Sequence, residues 1–256
     1  MGLFDKKYCD VCGEKIGILG NRKLEDGNLC KDCARKLSPW FSERRNSSVN
    51  EIKRQLEYRE ENRGRVEAFH ITRTLGSGTK LLLDEDAGLF MVTSAKNIAE
   101  ANPDVLALSD VTGCTLDVEE SSKELLHEDK DGNEVSYNPP RYEYSYDFYI
   151  IVNVNNPYFN EMRFRINPDS VEISPPPSIR PGVTLRFNPE TNAEYKKYKQ
   201  LGEEIRQILV KVRDDAREKI EQAAAPKTAV SCPYCGATTT PDASGCCEYC
   251  GGALMG

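Results

Sequence analysis

The residues best suited to chemistry in this chain are its cysteines: ten in all, of which eight form four Cys-x-x-Cys pairs. Cys9 and Cys12 precede Cys30 and Cys33 near the start, and Cys232 and Cys235 precede Cys247 and Cys250 in the tail. Two thiolates separated by two residues can share one metal ion because the chain between them folds into a tight knuckle. Four such sulfurs complete a tetrahedron around zinc. A secreted chain would use paired cysteines as disulfides, whereas in a reducing compartment this spacing makes ligand pairs. Two Zn2+ per chain are expected, one for each quartet.

In the N-terminal module Gly13 follows the first pair, and Asp26-Gly27 in "RKLEDGNL" suits a two-residue hairpin turn with positive backbone angles. After Cys30 the stretch "KDCARKL" permits a helix as far as Ser38-Pro39. The second pair then sits in a first helical turn, where partial positive charge favours thiolates. Knuckle, hairpin and helix make a treble-clef-like zinc finger. Four unligated cysteines would leave this apolar-poor segment without enough core to fold.

The tail repeats the pattern C-x-x-C-G at Cys232-Cys235-Gly236 and Cys247-Cys250-Gly251, and Cys246 stands one residue out of step. Cys246 reads as a non-ligating neighbour, with a role as replacement ligand or capping thiol as the alternative. The module is short enough for a zinc ribbon, and metal binding worth on the order of 10 kcal/mol replaces its missing core. Spacing alone leaves iron in a rubredoxin-like site open. Thioredoxin-type exchange is disfavoured, because it needs a single pair beside a βαβ unit.

Between the modules the hydrophobic period changes twice. Ser48 and Glu51 form a capping box ahead of a polar connecting helix with Val49, Ile52 and Leu56 on one face, ending before Gly64. From Phe69 the pattern is that of strands: "HITRTL", "TKLLLDED" and "LFMVTS" are punctuated by glycine turns. In "RYEYSYDFYIIVNV" the residues Tyr142, Tyr144, Tyr146, Phe148, Ile150, Val152 and Val154 share one face, and Met162, Phe164 and Ile166 alternate on a returning strand. A packed sheet face explains the tyrosine row better than a base-stacking platform does. After "ISPPPSIRPG" a long helix carries Tyr198, Leu201, Ile205, Ile208 and Val212, too few heptads for a coiled coil. The expected fold class is α+β, with a central antiparallel β-barrel or sandwich of pleckstrin-homology-like form closed by the long helix. The expected divisions are a finger over 1–46, a connecting helix over 47–64, the β domain over 65–187, the long helix over 188–224, a linker over 225–230 and the ribbon over 231–256.

Catalytic constellations do not assemble. His70 and His127 have no convincing partner, Asp131-Gly132 suits a hairpin turn better than a calcium loop, and Gly76 and Gly78 do not open a helix as a phosphate loop requires. Cys114 reads as a buried strand residue. With no nucleophile–base pair and no open metal position, the expectation is a protein that is not an enzyme. No apolar run spans a bilayer, and "MGLFDKKYCD" turns charged too early for a signal peptide, so a cytoplasmic location is expected.

Charge separates the regions: residues 1–46 hold 10 Lys/Arg against 7 Asp/Glu, and residues 65–187 hold 11 against 20 within an overall net charge of -7. Only the finger offers a basic face, made of Arg22, Lys23, Lys31, Arg35, Lys36, Arg44 and Arg45. The segments "YCDVCGEKIG", "NRKLEDGNLCKDCARKLSPWF" and "CPYCGATTTPDASGCCEYCGG" give the chain its family resemblance. It resembles bacterial proteins, common in Firmicutes, whose N-terminal zinc finger is catalogued as a domain of unknown function and which often end in a second zinc ribbon. The resemblance implies structural zinc on both quartets and transfers no activity. The first expectation is an adaptor whose zinc modules flank a β domain that binds a protein or peptide. Nucleic-acid binding through the finger ranks second. Docking of the acidic β domain on lipid ranks last. The pattern sets neither the partner's identity nor the oligomeric state.

Overall fold

The computed structural model describes residues 6–174, 188–224, 229–242 and 245–254. The chain divides into two compact units, Met1–Asp214 and Asp215–Gly256. The first begins with two small hairpins: β1 (Lys7–Tyr8) pairs with β2 (Lys15–Ile16), and β3 (Arg22–Lys23) with β4 (Asn28–Leu29). Helix α1 (Lys31–Arg35) follows at once. The β3–β4 turn is longer than two residues, since Lys23 pairs with Asn28 and Leu24 N–H donates to Gly27 O. Gly27 takes no positive φ. It is required by close approach, because a Cβ there would lie 2.5 Å from Val49 Cγ2 and 2.8 Å from Asp10 Oδ2.

Helix α2 (Val49–Ala68) starts at the expected capping box: Ser48 Oγ accepts from Glu51 N–H, and Glu51 Oε2 accepts from Ser48 N–H. It runs through Gly64 to Ala68, beyond the end expected from the sequence, because Val66 packs against Leu82, Met91 and Val105. The expected Val49-Ile52-Leu56 stripe packs on the finger's core, with Ile52 fully buried, and the buried face continues through the polar Gln55, Arg59 and Asn62 to Val66. Arg59 Nη1 donates to Asp104 Oδ1 at 2.8 Å, Ser38 Oγ donates to the other carboxylate oxygen at 2.7 Å, and Arg59 Nε donates to Lys36 O at 3.2 Å. Asn62 bonds the Asn102 side chain and Pro103 O and accepts from Val105 N–H. Burial of Asp104 raises its pKa above the usual carboxylate range despite the Arg59 guanidinium beside it. A helix that looks polar in sequence is therefore a buried polar spine joining the finger to the first sheet.

That sheet has the order β5 (Arg73–Leu75), β6 (Lys80–Asp84), β7 (Leu89–Thr93) and β8 (Leu106–Ala107), all antiparallel, with the short helix α3 (Ile98–Ala101) between the last two. Leu81, Leu82 and Leu83 are all buried, so the apolar runs mark strands covered on both faces.

The second sheet is organised by a long hairpin of β9 (Val111–Glu128) and β10 (Glu134–Val154), turning at Gly132 with φ 82°. The opposite edge of β10 is shared by β11 (Glu161–Arg165), along Tyr149–Asn153, and β12 (Val171–Ile173), along Tyr144–Tyr146. The register slips between Ser136 and Arg141, where Pro139 and Pro140 have no N–H to donate. Among the described residues neither four-stranded sheet closes into a barrel. Sequence periodicity identified the strands but carries no information on edge-to-edge pairing. The alternating face of β10 is packed as expected from Tyr146 to Val154, whereas Tyr142, nearer the hairpin tip, is 41 % exposed.

The first part of helix α4 (Ala193–Ala224), through Tyr195, Tyr198 and Gly202, covers that face. Asn192 Oδ1 accepts from the N–H groups of Glu194 and Tyr195, and the Tyr195 ring meets Tyr146 and Phe148 edge-on at 4.9 and 5.1 Å. Its buried stripe is Tyr195, Tyr198, Gly202, Ile205 and Leu209, rotated from the expected one. The rotation brings Gly202 onto Leu116, where a Cβ would stand 2.5 Å from Leu116 Cδ1. The second unit contains the last turns of α4, the pair β13 (Val230–Ser231) with β14 (Thr238–Thr239), and the tail cysteines. Among the described residues no helix is long and apolar enough to cross a membrane.

Candidate metal centres

Three of the four cysteine pairs share one local fold. Gly13 N–H donates to Cys9 O at 2.8 Å, Gly236 N–H to Cys232 O at 2.9 Å and Gly251 N–H to Cys247 O at 2.8 Å. Each glycine takes a positive φ, between 71° and 76°, a region in which a Cβ is strained. The fourth pair is built differently: Cys30 caps α1, its Sγ accepting from Cys33 N–H at 3.3 Å.

These elements gather Cys9, Cys12, Cys30 and Cys33 into one cluster and Cys232, Cys235, Cys247 and Cys250 into another, with all sulfurs of a cluster within 4.8 Å of one another. Cys12 and Cys30 sulfurs are 3.7 Å apart, Cys232 and Cys250 3.6 Å, and Cys235 and Cys247 3.7 Å. Tetrahedral thiolates about 2.3 Å from one zinc stand about 3.8 Å apart, so both donor sets fit such an ion. All four corners of each cluster are protein sulfurs. Cys247 joins the tail quartet, while Cys246 bridges to Ala253 and its N–H donates to Asp242 Oδ1 at 2.9 Å.

The thiols are electrostatically unequal. Burial raises Cys9, but backbone N–H groups of Cys12, Cys30 and Val11 outweigh it and lower the thiol to about 7. Cys232 falls to about 7 in the same way, with burial opposed by the N–H groups of Cys235 and Tyr234. Burial and the neighbouring thiols push Cys33 upward. In the tail the Gly252 N–H favours the Cys250 thiolate, yet Cys235 and Cys232 outweigh it and push the thiol up to about 12. Four thiols this close cannot all ionise unless a cation sits among them.

Of the seven basic residues of the finger, Arg22, Lys23, Arg44 and Arg45 lie near one another, and Arg35 and Lys36 share a cleft. Arg44 Nη1 donates to Lys23 O at 2.7 Å, and burial together with the nearby Arg22 and Arg45 charges depresses the Arg44 pKa. Arg35 pairs with Asp32, and Arg35 and Lys36 line a cleft of about 310 Å³ with Cys12, Cys33, Arg59 and Arg63. Lys31 is the exposed first residue of α1. His70 and His127 belong to neither cluster: His70 N–H donates to Asp84, and His127 stacks on Tyr137. Cys114 is buried in β9, its thiol raised by burial to about 11. Sequence reasoning missed the Arg59–Asp104 pair, for which the only local signal is the break at Asn102-Pro103.

The chain is thus organised around two four-cysteine modules suited to zinc. A family model described as a domain of unknown function (DUF4428) matches residues 7–55, from β1 into the first turns of α2. That span includes Val49 and Ile52, which pack with Leu24, Leu29 and Leu37 in the core of the finger. No curated protein and no solved structure matches the chain.

Proposed function

We propose that this protein is a non-enzymatic zinc-binding adaptor, with a treble-clef-like finger and a C-terminal zinc ribbon holding one structural Zn2+ each, and that it works in a reducing compartment such as the cytoplasm. The observation that carries this reading is that every coordination corner in both clusters is a cysteine sulfur. A catalytic zinc keeps one position for water or substrate, and a four-sulfur site keeps none. With both sheets open, the pleckstrin-homology likeness of the central region rests on α4 packing over one sheet, and the interaction role is assigned to that region with a protein or peptide as partner.

Elemental mass analysis tests the metal assignment: two zinc per chain, falling to one in Cys247→Ser and unchanged in Cys246→Ser. Cobalt substitution tests the closed sites. The tetrahedral four-thiolate spectrum should not move when azide or cyanide is added, and a spectrum that shifts would reopen catalysis. Nucleic-acid binding is the second reading. The Arg22–Arg44–Arg45 cluster favours it, and the engagement of Arg35 with Asp32 weakens it.

A further inference from the structure

Between β2 and β3 the finger makes a small loop, Gly17-Ile18-Leu19-Gly20, closed by Gly20 N–H donating to Gly17 O at 3.0 Å. Ile18 is 97 % exposed and Leu19 89 %, while the preceding Ile16 is buried in the finger's core. The loop is therefore held from below by a packed residue and presents two bare aliphatic side chains to solvent. Leaving such groups in water is unfavourable, and nothing in this loop covers them.

The loop stands in a collar of cations. Lys15 precedes it and Arg22 and Lys23 follow it; Arg22 Nη1 donates to Leu19 O at 3.3 Å. Arg44 bonds Lys23 O, and Arg22 and Arg45 lie close enough to depress its pKa. Among the described residues none of Lys15, Arg22, Lys23, Arg44 and Arg45 joins an ion pair. Glu43, next to Arg44 in sequence, accepts from Asn46 and Ser42 instead, and Glu14 beside Lys15 and Glu25 near Lys23 form no ion pair with these cations among the described residues. Tyr8, 53 % exposed and opposite Lys15 in the β1–β2 pair, adds an aromatic ring of the kind that settles at a water–lipid boundary.

We propose that this loop docks the finger onto an anionic membrane surface, Ile18 and Leu19 entering the headgroup–acyl boundary while Lys15, Arg22, Lys23, Arg44 and Arg45 contact lipid phosphates. A convex aliphatic tip suits fluid lipid, which closes around any shape, whereas a folded protein partner would need a matching pocket. A nucleic acid would use the cations and the Tyr8 ring but gains nothing from Ile18 and Leu19, the two most exposed apolar side chains of this surface. The overall charge of -7 opposes an anionic surface, so docking requires this end of the finger to face it. The inference is independent of the adaptor reading and adds a surface to it.

The test is sedimentation of the full-length, zinc-loaded chain with phosphatidylcholine vesicles, with and without about 30 % phosphatidylserine. Zinc content is measured in the same samples, so that loss of the finger is distinguishable from failure of the tip. Wild type should sediment with the anionic vesicles only. Ile18→Ser with Leu19→Ser should weaken partitioning roughly tenfold or more with zinc retained. Lys23→Gln and Arg45→Gln should each weaken it about fivefold. Equal sedimentation with both vesicle types, or a double loop variant that partitions like wild type, overturns the proposal. Binding of duplex DNA or RNA that depends on Lys23 and Arg45 but not on the loop, with no vesicle binding, overturns it in favour of nucleic acid.

Discussion

The two cysteine quartets bring their sulfurs to the same spacing but are supported in different ways. In the first, Cys9, Cys30 and Cys33 pack with Leu24, Leu29, Leu37 and Ile52, so a real if small apolar core surrounds the site and α2 closes it. In the second, the buried residues of the described tail are Cys232, Cys247 and Thr239, with Tyr234 and Tyr249 left exposed. One site is set into a core, and the other has almost no core beyond its ligands. The metal should therefore adjust the stability of the finger and decide whether the tail is folded at all.

The largest expected effect follows from that contrast. Chelation of the full chain by a strong zinc ligand should abolish hydrogen-exchange protection throughout the described part of 229–254, since the lost binding energy is on the order of 10 kcal/mol against little else. Protection in α2 and in the two sheets should persist, because they are held by residues such as Leu82, Met91, Phe148 and Ile205. Equal collapse of both regions would mean that the finger's core contributes nothing without its ion.

The next effect tests whether the finger leans on its neighbours. Replacing Arg59 with Met leaves Asp104 buried without its cation and removes the bond to Lys36 O just beyond α1. Breaking one side of a buried pair costs about 3–5 kcal/mol. Urea unfolding read at Trp40, the only tryptophan, should shift to a markedly lower midpoint, while tail zinc stays bound. An unchanged midpoint would show that the spine does not support this end of the molecule. A third and smaller effect is expected at Gly202→Ala, where the new methyl meets Leu116 at 2.5 Å. Overpacking of that kind costs about 1–3 kcal/mol, readable as a lower thermal midpoint.

What the sequence displays well is chemistry that is local. Cys-x-x-C-G encodes both the ligands and the backbone turn within five positions, and Ser48 with Glu51 encodes a helix start within four, so both could be read directly. The burial of Arg59 could not, because its carboxylate partner lies 45 residues away and an arginine on a polar helix looks solvated. The same is true of Gly202, whose need appears only when β9 arrives beside α4. Barrel closure depends on which strand edges meet, and alternation along a strand describes faces alone. Ile18 and Leu19 look in sequence like any other apolar pair of a small finger. Only the fold separates them from the buried Ile16 two residues earlier.

The finest test of the comparison uses two glycines, each of which has a neighbour 2.5 Å from an added Cβ. At Gly27 that neighbour is Val49 Cγ2, with Asp10 Oδ2 at 2.8 Å on the other side. Neither can yield: Val49 is β-branched, its N–H donates to Asp26 Oδ1 at 2.7 Å, and Asp10 Oδ2 accepts from Asn28 N–H at 2.6 Å. At Gly252 the neighbour is the Tyr234 ring, which is mostly exposed and can swing into solvent. Gly27→Ala should therefore destabilise the finger by about 1–3 kcal/mol, whereas Gly252→Ala should cost the tail less than about 0.5 kcal/mol. Competition titration of zinc against a chelator reads both in one experiment, as weaker retention by one of two sites. If Gly252→Ala proves the more damaging, the tail has a packed interior after all, and its tyrosine belongs to that interior.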